Sequence, residues 1–416
     1  MKTKITFKFL LVITGLLLQL NLQAQLSRTI HVETAGTLPT LISSSEKYQI
    51  TDLTLTGDLN GTDIRYIREM AGRDVDGYST NGKLEVINLA EAKIVSGGDF
   101  YYVSPAQGFA YLTQNNAISD CMFSGCKITS ITTPNNLILI GDNAFSECIN
   151  LMSITIGNNV ALIGHSAFYF CCSLTSVIIP NSVVFIGNYA FYCCGSLTSA
   201  TIGNSVTSIG DSTFSFCTNL TSVTIGDGVT SIGNHAFADC GKLTSITIPN
   251  SVFSIGWNAF YYCTNLTSIT IGNGVITIGD WAFENCTRLK EIHSKKSTPP
   301  YLGLGCLYDV DKTTCTLYVP MGAKSAYESD FGWKVFANII EEGSTAIRPI
   351  DKNDIFVQSI PNGIVIEAKE KTLISVFNLS GQKLYQSVIY ENAEIQLNKG
   401  VYIVRVNNES KKIIVK

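Results

Sequence analysis

Thirteen cysteines, 18 tyrosines and four histidines offer most of the chemistry in this chain of 416 residues, and the cysteines follow a rule. Eight of them recur in step: Cys126, Cys148, Cys171, Cys194, Cys217, Cys240, Cys263 and Cys286. Recurring thiols can pair as disulfides, hold zinc, act as nucleophiles or fill a buried column. One thiol per step with no C-x-x-C anywhere points to the last, a column of small, reduced, buried thiols. Cys121, Cys172, Cys193, Cys306 and Cys315 fall outside the step, and Cys306 with Cys315 is the candidate disulfide.

Other chemistries find few residues to work with. His165 and His235 occupy neighbouring turn positions about three repeats apart, too far to share a metal, so no metal site is expected. Asp309-Val310-Asp311-Lys312-Thr313 lacks the glycine and terminal glutamate of a calcium loop and reads as a solvated loop. G-x-S-x-G, Walker and H-E-x-x-H motifs are missing from the sequence. Residues 118–287 carry eight acidic side chains, mostly at single turn positions such as Asp142, Asp211 and Asp280. That pattern does not indicate a glycosidase carboxylate pair. No catalytic residues, no cofactor and no enzyme activity are expected.

Two surfaces remain. Ser153, Ser176, Ser199, Ser222, Ser245 and Ser268, with Thr155, Thr201, Thr224, Thr247 and Thr270, form an uncharged hydroxyl ladder. It reads as a solvated β face, with a protein, glycan or ice platform as the sharper alternatives. The second surface is aromatic. Tyr169, Phe170, Tyr192, Phe216, Tyr261 and Tyr262 lie between a repeated Phe and a repeated Cys, and Tyr189, Trp257 and Trp281 follow a repeated Gly. Elsewhere these positions hold mostly Ser, Gly, Asp or Asn, with Glu147, Glu284, Cys193, Ala238, His165 and His235 as the others. Exposed rings on one flank suggest a contact site; a secondary core on the convex side is the competing reading.

All of these positions hang on one period. Phe recurs at 123, 145, 168, 191, 214, 237, 260 and 283, a step of 22 and then six of 23, and Gly keeps the same step from 141 to 279. One unit, 243–265, reads LTSITIPNSVFSIGWNAFYYCTN. Leu243, Ile246 and Ile248 make an L-x-x-I-x-I strand with alternate side chains inward. Pro249-Asn250 turns the chain, Val252 and Ile255 make a second short apolar stretch, and Gly256 is expected to supply a corner through positive φ. Such a coil cannot bury its apolar face alone, whereas stacked copies can. The fold class is therefore a β-rich solenoid of parallel strands with period 23.

The flanks extend it. Ile50, Leu53 and Leu55, then Leu84, Ile87 and Leu89, repeat the strand spacing irregularly. A short helix is expected over 63–70, with Asp63 near its N-terminus. Thr316–Pro320 with Tyr327, Trp333 and Phe336 reads as a strand-plus-helix cover for the last coil. Residues 1–24 read as a signal peptide: Lys2, Lys4 and Lys8, then an apolar core Phe9–Leu18, then Leu22-Gln23-Ala24. No later stretch is apolar enough to span a bilayer. After a linker at 341–345, residues 347–416 form short alternating strands split by turns, a small β-sandwich. It has ten basic against seven acidic residues, a net +3, where 118–287 has two against eight, a net −6.

The L-x-x-I-x-I strand and F-x-x-C corner of 118–293 resemble the leucine-rich repeats of BspA-like bacterial surface proteins. The chain departs from the general leucine-rich pattern in lacking its Asn ladder, so a second narrow sheet or extended turns is expected on the convex side. Asn378–Tyr385 (NLSGQKLY), Gly400–Val406 and Lys411–Lys416 resemble the C-terminal sorting domain of type IX secretion. The resemblance implies 1–24 signal peptide, 25–117 irregular leucine-rich part, 118–293 regular repeats, 294–342 cap and 347–416 sorting module. It implies an exported cell-surface or extracellular adhesion protein that recognises host matrix or bacterial surface proteins and meets the type IX secretion machinery. A polysaccharide-binding or scaffolding protein is the alternative, and a secreted enzyme the remote one. Hydrophobic residues at 45%, charged residues at 15% and a net charge of −4 exclude a disordered chain and give no footprint for nucleic acid.

Overall fold

The computed structural model describes residues 25–342 apart from 106–107, and 355–415 apart from 361–362, 369–370, 391 and 407–408. The expected signal peptide lies outside the described residues, as does most of the linker. The chain forms two compact units: one runs to Leu317 and includes Asp330–Asn338, and the other holds Tyr318–Ser329 and the chain from Ile339 on. The units therefore do not divide at the expected linker.

The first unit is a parallel β-solenoid. Strands such as Ser130–Thr132, Ser153–Thr155, Ser176–Ile179, Ser199–Ile202, Ser245–Ile248 and Ser268–Ile271 line one side. Within three successive sheets neighbours pair at a register of one repeat, as in Ser245↔Ser268 and Ile248↔Ile271, with breaks after Ser153–Thr155 and after Ser222–Thr224. The opposite side carries a second, narrower layer of two-residue parallel strands, one sheet from Ala117–Ile118 to Phe185–Ile186 and the next from Ser208–Ile209 to Tyr301–Leu302. This is the second narrow sheet anticipated from the missing Asn ladder. Earlier coils enter the first sheet through Ser27–Val32, Asp52–Leu59 and Val86–Asn88. Leu53, Leu55, Ile87 and Leu89 point inward there as their spacing predicts. The helix covers Gly61–Met70 and its cap is Asn60, with Asp63 as the reciprocal partner of the capping box. Asp63 is fully buried because it also accepts from the Gly36 and Leu38 amides.

Two columns fill the interior. The rings of Phe123, Phe145, Phe168, Phe191, Phe214, Phe237, Phe260 and Phe283 stack nearly parallel, with neighbouring centroids 5.0–5.5 Å apart. Beside them, each thiol from Cys148 to Cys286 donates to the carbonyl of a Phe one coil earlier, at 3.0–3.3 Å. The column is therefore a hydrogen-bonded ladder as well as an apolar filling. Burial pushes these thiols well above their ordinary pKa, which keeps them protonated and unreactive.

Cys306 and Cys315 are free in the structure, correcting the expected disulfide. Residues 303–310 form one more corner, in which Cys306 takes the place of the repeated Ala and Leu307 that of the repeated Phe. Cys315 takes the strand's leading Leu position, since Thr316 N–H donates to Lys290 O as Lys290 N–H does to Thr267 O. Two different core columns thus hold the two thiols, each pushed up to about 12 by burial. Asp309 is the corner's last outward residue, and Asp311 accepts from Thr313 N–H and from the Thr313 and Thr314 hydroxyls. Trp333, almost fully buried, donates from Nε1 to Pro300 O at 2.7 Å and stacks on Phe336.

The corner glycines act differently from expectation. Gly256 has no positive φ. A Cβ there would lie 2.6–2.7 Å from backbone atoms of Gly233 and Asn234, and Gly187, Gly233 and Gly279 meet the same obstruction. Glycine is required because adjacent coils pass too close for any side chain.

In the second unit, seven antiparallel strands form two sheets around Ile364, Ile366, Ile374, Val376, Tyr402, Val404 and Val406. The sandwich reading holds. Its strands include Ile355–Ile360 and Asn392–Gln396. The NLSG turn closes on Asn378, whose Oδ1 accepts from Gln382 N–H and the Ser380 hydroxyl, with Gly381 at φ +83°.

Gly256→Ala should cost more than about 2 kcal/mol in chemical denaturation, because the coils must spread. Gly195→Ala should cost nothing measurable, since its Cβ would meet only Thr218 Oγ1 at 3.9 Å. Equal costs would remove the spacing argument.

Candidate functional site

Each corner, from glycine to cysteine, holds two residues in the left-handed region. The first column runs Cys121, Asn143, Ser166, Tyr189, Ser212, His235, Asn258 and Trp281; the second runs Glu147, Phe170, Cys193, Phe216, Asp239, Tyr262, Asn285 and Asp309. Gly125 and Gly305 complete the columns with φ of +68° and +62°. Asn, Asp and Gly reach this region at least cost, whereas a bulky side chain there is strained by roughly 1 kcal/mol or more. Five of the nine candidate aromatics, Phe170, Tyr189, Phe216, Tyr262 and Trp281, sit at these positions. Their spacing gave no hint of it.

A second ladder runs along the same edge. The residue after each corner Gly accepts the amide of its counterpart one coil on: Asp142 for His165, His165 for Asn188, Asn188 for Asp211, Asp211 for Asn234 and Asn234 for Trp257, all at 2.7–2.9 Å. The acids read from sequence as single turn residues are thus staples between coils. Trp257 stands in this ladder and brings no acceptor.

The structure gathers the candidates into groups. Tyr192 is the hub of the first: it stacks on Tyr169 at 5.2 Å and meets Tyr189, Phe170 and Phe216 at 5.4–6.1 Å. Phe170, Tyr189 and Phe216 are 36–43% exposed, while Tyr169 and Tyr192 are half-buried beneath them. Further along, Trp257 packs edge-on against His235 at 4.7 Å and Trp281 at 6.1 Å, and Tyr261 pairs with Tyr262 at 4.7 Å. Asp239 and Ala238 hold the intervening corner. Burial raises the pKa of Tyr169, Tyr192 and Tyr261, so all three keep their phenol protons near neutrality. The two sequence readings of the flank merge: half-buried rings form a footing and exposed rings stand on it.

Beside the hydroxyl ladder, the threonines that precede its serines bond to the backbone. Thr175, Thr198, Thr221 and Thr267 donate to the carbonyl one coil before, at 2.9–3.2 Å, and Ile178, 71% exposed, interrupts the outward threonine row. A threonine row that an isoleucine breaks is a poor lattice for ice. Sequence reasoning missed Arg73 and Lys127, which line a cavity beside the first aromatic group. The signal for Lys127 was available, since it and Lys242 are the only basic residues of 118–287.

Phe216→Asn and Tyr262→Asn place a residue suited to positive φ, and Trp257→Asn restores the missing acceptor. Each should hold stability or raise it by up to about 1 kcal/mol in thermal or chemical denaturation. A loss above about 1 kcal/mol for each would make the rings structural.

Residues 116–242 and 184–300 match the BspA type leucine rich repeat region, in six copies, and residues 360–416 match the secretion system C-terminal sorting domain. No curated protein resembles the chain closely enough to count as a match. Among solved structures, a leucine rich cell surface protein from Faecalibacterium prausnitzii is 24% identical, with a TM-score of 0.38 over 61% of this chain and 86% of that one. A leucine-rich repeat protein from Bacteroides ovatus is 22% identical, with a TM-score of 0.35 over 56% and 78%. That from T. pallidum is 22% identical, with a TM-score of 0.36 over 52% and 87%. No helix among the described residues is long and apolar enough to cross a membrane. The chain is thus built from BspA-type leucine-rich repeats followed by a type IX secretion sorting domain, and it is an exported cell-surface protein.

Proposed function

We propose that this protein is a non-enzymatic adhesin that binds protein partners, of a host matrix or a neighbouring bacterium, through its aromatic flank. One observation carries the reading. Large exposed rings occupy backbone positions that favour Asn or Gly, and Trp257 displaces an acceptor from the ladder that ties the coils. Local stability is served by neither choice. A contact surface is, because Tyr and Trp bring apolar area with a polar tip and little rotamer entropy. The hydrated hydroxyls of the other face would gain only about 0.5–1.5 kcal/mol per exchanged hydrogen bond. On this reading the sorting module delivers the solenoid to the surface, and the cap and N-terminal coils close its ends.

The repeats carry few charges, so adhesion at this flank should form slowly and depend little on salt. Converting Trp257, Tyr261 and Tyr262 together to Ala should leave the fold intact and lower adhesion to immobilised matrix proteins by about tenfold or more. Intact adhesion in that variant, with loss on substituting Thr224, Thr247 and Thr270, would move the site to the hydroxyl face.

A further inference from the structure

A cavity of about 590 Å³ opens where the first regular corner meets the N-terminal coils, lined among others by Arg73, Lys127, Glu147, Tyr169 and Phe170. Its origin is a missing side chain. Gly125 holds the left-handed position that Glu147 and Phe170 hold in the next two coils, so the column begins with a notch. Arg73 enters that notch. Its Nε donates to Gly125 O at 2.8 Å and its Nη1 to Gly77 O at 3.0 Å, and a Cβ on Gly125 would lie 2.9 Å from Nε. Lys127 reaches only the Thr80 carbonyl, at 3.5 Å. Among the described residues neither cation takes part in an ion pair, although 118–287 carries a net −6. Two cations held by neutral carbonyls therefore face one cavity, and Tyr169 and Phe170, with centroids 4.7 Å apart, form its wall.

We infer that this notch binds a carboxylate-bearing sugar residue. The cations would take the carboxylate by charge-assisted hydrogen bonds. The ring wall would take the C–H face of the sugar, and Glu147 and Asn150, which also line the cavity, would accept and donate to its hydroxyls. An acidic peptide would share the first contact but has no sugar C–H face to lay on the wall of Tyr169 and Phe170. The volume lies in the range of small-ligand sites and fits one or two sugar rings. The inference rests on reading the aromatic flank as a contact surface, since Tyr169 and Phe170 serve both.

The test uses the full chain, calorimetry and saturation-transfer NMR. The probes are an α-methyl sialoside, representing glycoprotein termini, and a hexuronic acid tetrasaccharide, representing acidic polysaccharide. Their methyl esters and an oligoglutamate peptide serve as controls. At least one acidic sugar should bind, with saturation on its ring protons. Its ester should bind about tenfold more weakly or worse, and affinity should fall as salt rises. Lys127→Gln, an exposed change, should weaken binding about tenfold, Phe170→Ser should remove the ring-proton saturation, and Lys242→Gln should change nothing. Whichever probe binds identifies the source of the sugar. Equal binding of acid and ester, binding of the peptide alone, or no sugar binding at about 10 mM, where even a weak millimolar site would fill, overturns the inference. Because this site should be salt-sensitive and the protein-binding flank salt-indifferent, loss of the one leaves the other standing.

Discussion

The rise from coil to coil, read as the 5.0–5.5 Å between successive phenylalanine rings, is the constraint on which the rest of the solenoid depends. Parallel strands repeat at about this distance, and near-parallel rings pack at it. Once it is imposed on every coil, each remaining column has one physical task. Cysteine is small enough to sit beside the ring and donates its thiol to the carbonyl of an earlier Phe. Glycine alone lets corner backbones pass. The corner itself closes through two left-handed residues per coil, whose alternate amides, such as Phe145 N–H to Ala167 O at 2.7 Å, bond to the following coil. The Asp/Asn ladder ties the same corner from outside.

A fold so constrained inside leaves function to positions that stacking does not fix. In the two left-handed columns the backbone is specified, whereas the side chains range from the buried Ser212 to the exposed Phe170, Tyr189 and Tyr262. The chain uses that freedom unevenly, with Asn, Ser or Asp in some coils and Phe, Tyr or Trp in others. Where rings appear they gather on half-buried neighbours such as Tyr192. Where the side chain is absent, at Gly125, a notch forms and Arg73 fills its base. Surface chemistry in this protein is thus a matter of which coil carries which residue at a geometrically fixed site.

Much of this was legible in the sequence because a period exposes columns. Leu243, Ile246, Ile248, Phe260 and Cys263 repeat at inward positions, and one aligned unit shows their burial. What escaped depended on distances the period does not display. Gly256 reads as a φ requirement and is a clearance requirement. Asp142 and Asp211 read as single turn residues and are staples. Cys306 and Cys315 read as a pair nine residues apart, whereas they occupy the Ala and Leu columns of a final coil whose degenerate Leu307 and Val310 hide the repeat. Arg73 comes from outside the regular units, so only the fold brings it beside Lys127.

The central claim is that a reduced, hydrogen-bonded Phe–Cys stack closes the regular coils, and thiol labelling tests it most directly. The native exported chain would be exposed to a small alkylating reagent at neutral pH, then unfolded without reductant, alkylated again with a second reagent and weighed intact. The account predicts that first-reagent labelling is confined to the half-buried Cys121, Cys172 and Cys193, and that the eight column thiols with Cys306 and Cys315 take only the second reagent. Labelling of the column in the native chain, or masses short of 13 modified thiols after unfolding, would contradict it.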